Sequence, residues 1–124
     1  MKLFLDSADP KEIASLAATG LVDGVTTNPS LAAKTGKPLF DALRAICDTV
    51  KGSVSAEVTA VETDAMIAEG KKLAKIADNI TVKVPLTWDG LKACRALSKT
   101  ARVSNICPPS ASPITRAHKS IWLP

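Results

Sequence analysis

Tyrosine is absent from the 124-residue sequence, histidine occurs once (His118), and Phe and Trp bring the aromatic content to only 3%. A surface that stacks nucleic-acid bases needs aromatic faces, so this composition argues against single-strand binding. One histidine cannot build a multi-histidine metal centre, and it leaves little room for a His-based triad. The cysteines Cys47, Cys94 and Cys107 are odd in number and never spaced C-x-x-C, which speaks against a disulfide framework and against zinc. No apolar run approaches the roughly 18 residues of a membrane span. The stretch Leu3-Phe4-Leu5 is broken by Asp6, so a secretory leader is not expected. These absences lead to the expectation of a cytoplasmic protein that needs no metal and no organic cofactor and does not engage a membrane.

Acidic residues are also missing from one part of the chain. Residues 1–90 hold all 12 Asp and Glu against 10 Lys and Arg, whereas residues 91–124 hold six basic residues and no acid. The formal net charge of +4 therefore belongs to the last quarter and is not a field spread over a domain. No nucleic-acid partner is expected. What remains is 46% hydrophobic and 23% charged, the composition of one small globular domain.

Hydrophobic periodicity divides the chain into repeating units. Residues 2–6 read as a short strand. Asp9-Pro10-Lys11-Glu12 then offers an N-cap, a proline in the first helical position and an early acid. Ile13, Leu16 and Ala17 give that helix an apolar face, and Gly20 can end it. A strand at 24–28 is followed by a loop through Pro29, Gly36 and Pro38, then by a helix carrying Leu39, Leu43, Ile46 and Val50 at helical spacing. A third strand at 53–59 precedes a helix that Thr63 can cap. A fourth at 79–85 precedes a helix that Thr87 can cap, and 102–106 suggests a fifth strand. Successive βα units imply an α/β fold with a parallel sheet and right-handed crossovers.

Parity within the strands is the most informative local signal. Thr81 and Lys83 share one face of their strand while Ile80, Val82 and Val84 share the other. Ser55 and Glu57 share a face, as do Thr26 and Asn28, and Phe4 and Asp6. Asp6, Asn28, Glu57 and Lys83 thus lie near successive strand ends, separated by 22, 29 and 26 residues. Sites of α/β barrels and open sheets are built at that C-terminal end. Each residue also has a purely structural reading: Asp6 as a turn cap, Asn28 as a turn residue before Pro29, Glu57 and Lys83 as an ion pair. A lysine between valines in a parallel strand nevertheless requires a partner or a task, because such strands are buried on both faces. Four polar groups in matching positions favour a site.

Leu3-Phe4-Leu5-Asp6, Asp23-Gly24-Val25-Thr26-Thr27-Asn28-Pro29-Ser30-Leu31, Val54-Ser55-Ala56-Glu57-Val58 and Ile80-Thr81-Val82-Lys83-Val84-Pro85 resemble the transaldolase family, and most closely its short-chain branch, which includes the fructose-6-phosphate aldolases. The resemblance implies a (β/α)8 barrel and Schiff-base (class I) aldol chemistry on sugar phosphates, without a cofactor. It implies that Lys83 is the imine-forming lysine, Asp6 the acid/base on the sugar hydroxyl, and Glu57 the carboxylate acting through water. Asn28 resembles the amide that binds the sugar, with Thr26 as a further lining residue. The aldolase branch usually has glutamine at the Glu57 position, so the reading leans to transaldolase, moving a dihydroxyacetone unit between sugar phosphates in the pentose phosphate pathway. The alternatives are a fructose-6-phosphate aldolase and a non-catalytic, self-associating fragment.

The resemblance covers residues 1–106, with Ser104-Asn105-Ile106 its last matching stretch. Cys107 stands where the family has a threonine. A complete barrel takes about 250 residues, roughly 200 at the least, so the expected architecture is a truncated half-barrel of about four βα units. Residues 107–124 contain four prolines and no glycine and are expected to form a divergent, poorly ordered tail. A half-barrel has free edges, here expected at 2–6 and at 79–85 or 102–106, and an inner face with Phe4, Thr26, Ser55 and Thr81 open to solvent. Homo-oligomerisation is the expected consequence.

Overall fold

Asp9 starts the first helix as its position suggests: its carboxylate accepts a hydrogen bond from the Lys11 amide at 2.9 Å, and Pro10 takes the first helical place. The structure, a computed structural model, describes residues 2–34, 36–106 and 120–122. Strand β1 (Phe4–Asp6) leads into α1 (Pro10–Ala17), then β2 (Gly24–Thr26), α2 (Pro29–Ala33), α3 (Leu39–Thr49) and β3 (Ser53–Glu57). There follow α4 (Thr63–Ala74), β4 (Ile80–Pro85), α5 (Trp88–Leu97), β5 (Arg102–Ile106) and β6 (Ser120–Trp122). Gly20, past the end of α1, has φ +73°, a left-handed turn that glycine adopts without Cβ strain.

Strands β1 to β5 are parallel and lie in chain order, each paired with the next. A doubly wound sheet reverses its strand order at a switch point; among the described residues the order of β1 to β5 shows no such reversal. Continuous one-way winding is the order of a (β/α)8 barrel, and β1 to β5 follow that order. Val25, Val54, Val82 and Val84 project to one side and meet Ile13, Leu43, Ile46, Met66, Leu73 and Leu97 from the helices, all buried. Each such large side chain is worth about 1.5–3 kcal/mol when buried, which fixes the helical layer on that side.

Four sequence expectations are revised. The loop after β2 contains a helix, α2, too short at five residues to show apolar periodicity. Thr63 does not cap α4: Glu62 holds that position, and the Thr63 hydroxyl donates to Asp89 Oδ1 at 2.6 Å, tying α4 to α5. The β5 edge is not free, because β6 pairs with it antiparallel. The inner face is less open than expected, with Ser55 and Thr81 buried and Phe4 and Thr26 half-buried. Small hydroxyl side chains sink between strands and find partners there: Ser53 and Thr81 hydroxyls lie 2.7 Å apart, and a side chain on Gly24 would collide with the Phe4 ring. The tail expected over 107–124 lies outside the described residues except for β6.

Candidate active site

Strand register builds the inner face in layers. Asp6 stands beside Thr26 and Thr26 beside Ser55, and Thr81 follows on β4. One layer nearer the C-terminal ends, Glu57 stands beside Lys83 and Lys83 beside Ser104. Alternation along each strand puts both layers on the face opposite the helical core.

Lys83 is held by contacts from β3 and from the residue that follows β2. Its Nζ lies 3.8 Å from Glu57 Oε2 and donates to the Thr27 carbonyl at 3.4 Å. The side chains are only 15% and 25% exposed, Lys83 and Glu57 respectively. Burial pushes the Glu57 carboxyl above its ordinary value, and the Lys83 charge offsets only part of that rise. The result is a carboxyl with an enlarged protonated fraction next to an amine, a pair suited to passing a proton.

Asp6 and Thr26 form a second unit, with the Thr26 hydroxyl donating to Asp6 Oδ1 at 2.9 Å. This fixes one carboxylate oxygen and leaves an exposed group at the rim. Asn28 is the N-cap of α2, its Oδ1 accepting from the Leu31 amide at 2.8 Å. Its side-chain NH2 has no protein partner among the described residues and remains available as a donor. The structure therefore joins Glu57 to Lys83 and Asp6 to Thr26, with no direct bond between the two pairs. Asn28 adjoins the first pair through the neighbouring Thr27 carbonyl.

Thr27 and Ser104 are two site neighbours that strand parity in the sequence does not single out, whereas Ser55 lies on the polar face that parity gave it. Thr27 is 1% exposed, its hydroxyl donates to the Ser55 carbonyl at 2.9 Å, and its own carbonyl receives Lys83. β2 ends at Thr26, so strand parity stops short of it. Ser104 is buried beside Lys83 and was detectable by extending the Thr81–Lys83 parity to β5. A third feature braces the site from behind: the Glu69 carboxylate on α4 accepts from the amides of Thr59 and Ala60 and from the Thr59 hydroxyl, at 2.9–3.1 Å. This fixes the segment just after Glu57. Cys107 lies outside the described residues.

Among the described residues no group of three or more His, Cys, Asp or Glu side chains is placed to hold a metal ion, and no helix is long and apolar enough to cross a membrane.

The raised Glu57 carboxyl has a consequence for stability. A carboxyl that binds its proton more tightly in the folded chain contributes stability below the ordinary carboxylate range, and that stability is lost as pH rises through the folded value. Glu57→Gln mimics the protonated group at every pH. It is expected to match wild type in urea unfolding near about pH 4 and to exceed it near about pH 7. A glutamine variant weaker than wild type at neutral pH would show that the Lys83 attraction outweighs desolvation.

The family model described as "Transaldolase/Fructose-6-phosphate aldolase" matches residues 3–106. A "Probable transaldolase" of Cereibacter sphaeroides is 61% identical over 106 residues, covering 86% of this chain and 48% of the relative. Those of Hyphomonas neptunium and Caulobacter vibrioides are 62% identical over 98 residues and 58% over 106, covering 79% and 86% of this chain and 45% and 49% of the relatives. The chain spans about half the length of the curated relatives it matches.

Proposed function

The chain belongs to the transaldolase/fructose-6-phosphate aldolase family, and from that membership we propose that its site serves Schiff-base transfer of a dihydroxyacetone unit between sugar phosphates in the pentose phosphate pathway. The observation that carries this reading is the half-buried Lys83–Glu57 pair on adjacent strands at the C-terminal end of the sheet. Lys83 Nζ, once deprotonated, adds to the ketose carbonyl. Loss of water then gives an iminium, with Glu57 passing protons through a water molecule. Asp6 removes the proton from the hydroxyl on the carbon at the far end of the bond to be broken, so that this carbon becomes the aldehyde. The C–C bond electrons flow into the iminium, an aldehyde leaves, and an enamine remains on Lys83. Addition of that enamine to a second aldose phosphate, with the proton returned by Asp6, followed by hydrolysis frees the new ketose and the lysine. Asn28 donates to the bound sugar and Thr26 holds Asp6 in place. No metal or organic cofactor is needed, and the cytoplasm is the matching compartment. Glu57, where the aldolase branch usually carries glutamine, favours transfer over simple aldol cleavage.

Incubation with dihydroxyacetone and borohydride, followed by peptide mapping, tests the assignment. Reductive label is expected on Lys83. Label on Lys71, Lys72 or Lys75 with none on Lys83 would remove the basis of this reading.

A second reading, self-association, draws on the outer edge of β1, which pairs with no strand among the described residues. Edges of this kind recruit further strands. Light scattering is expected to show a dimer or larger species of the 124-residue chain, and a stable monomer at tens of micromolar would contradict it.

A further inference from the structure

A cavity of about 510 Å3 opens on the helical side of the β1 and β2 ends, between the β1–α1 loop, α2 and the first turn of α3. None of Asp6, Thr26, Asn28, Glu57 or Lys83 lines it. Three lysines do: Lys11 from α1, Lys34 from the end of α2 and Lys37 from the turn that follows. Among the described residues Asp9 is the one acid on its wall, and that carboxylate already accepts from the Lys11 amide as the α1 cap. Neither Lys11 nor Lys34 has a carboxylate within ion-pair distance among the described residues. Pro10, Leu31 and Ala42 give the remaining wall an apolar surface.

We propose that this cavity binds a small organic phosphate, a dianion on a short carbon skeleton, at a site separate from Lys83. Lysines from three segments line one concavity, and basic groups gathered around a concave surface favour an anion there. The volume falls within the roughly 300–1,000 Å3 typical of small-molecule sites, and an apolar wall beside a few charged groups is their usual lining. The β1–α1 wall is also preformed. Buried Ser7 donates to Glu12 Oε2 at 2.5 Å and accepts from the Asp9 amide at 3.1 Å, so this part of the cavity is held without a ligand. The charges select a phosphate and the apolar wall selects its carbon portion. The site is independent of the aldol reading, and either can fail without the other.

Amide NMR titration of the whole chain with glycerol 3-phosphate, inorganic phosphate and glycerol tests the proposal. Glycerol 3-phosphate is expected to give saturable shifts at residues 7–11, 31–34 and 36–42, weakened by added salt. Inorganic phosphate is expected to bind the same residues more weakly, and glycerol not at all. The double variant Lys34→Glu/Lys37→Glu is expected to lose about tenfold in affinity, the combined effect of reversing two exposed charges. Lys71→Glu/Lys72→Glu on α4 serves as control and is expected to bind as wild type. Absence of saturable shifts at low salt, shifts centred on Thr26, Glu57 and Lys83, or equal loss in both double variants would each overturn the proposal.

Discussion

Lys83→Met is expected to abolish the borohydride-trapped label on the chain and to lower any transferase turnover by at least about ten-thousand-fold, the scale seen when a covalent nucleophile is removed. Methionine fills nearly the same volume between Val82 and Val84 but has no amine to attack a carbonyl. The change also strips Glu57 of its cation at 3.8 Å, so loss of function has to be separated from loss of fold. Lys83→Arg makes that separation. The guanidinium keeps the positive charge opposite Glu57, yet it stays protonated and cannot form an imine. Both variants are expected to give no label, while Lys83→Arg keeps a cooperative unfolding transition. Glu57→Gln is expected to leave the label on Lys83 but slow its appearance, because the amide cannot relay protons in the addition and dehydration steps. Label persisting at another lysine in either Lys83 variant would show that the imine is not built on β4.

The strands were legible because their pattern is physical and local. Ile80-Thr81-Val82-Lys83-Val84 alternates in two-residue steps, and the register places Lys83 against Glu57 as that alternation implies. The caps at Asp9 and Thr87 were legible for the same reason, since each hydroxyl or carboxylate meets an amide two or three residues on. Thr63 misled because a threonine at a helix start has two outlets, and the nearer amide lost to Asp89 on the neighbouring helix. That choice depends on how α4 and α5 pack, which no local window contains. Thr27 was invisible on similar grounds. Its carbonyl meets Lys83, 56 residues away in sequence, only after β2, β3 and β4 are aligned. The cavity beside α2 required the third dimension as well, since Lys11 and Lys34 are brought together by the packing of helices on the sheet.

Gly90→Ala is expected to be among the most destabilising single-methyl additions in the chain, at about 3 kcal/mol or more. Gly90 sits in the first turn of α5, where a Cβ would lie 1.8 Å from the Pro85 carbonyl oxygen. That oxygen belongs to the strand bearing Lys83, so neither partner can step aside as a flexible side chain would. Alanine is the better helix former by about 1 kcal/mol, which offsets part of the clash and leaves the balance strongly unfavourable. Gly70→Ala provides the comparison within another helix. There the added methyl meets the Leu97 Cδ1 atom at 2.7 Å and Val82 Cγ1 at 3.2 Å, side-chain atoms of which the first can rotate away, so a much smaller loss is expected. Relief of the clash at Gly90 requires α5 to move off the end of β4, two residues beyond Lys83. The Thr87–Gly90 cap at 3.0 Å would be strained in the same movement. The variant is therefore expected to lose imine trapping at temperatures where it is still folded, because its Lys83 strand end shifts relative to Glu57. Urea unfolding of the two alanine variants beside wild type, with trapping measured at matched folded fractions, checks both parts. Equal stability of Gly90→Ala and Gly70→Ala would show that α5 is not held against the Pro85 carbonyl.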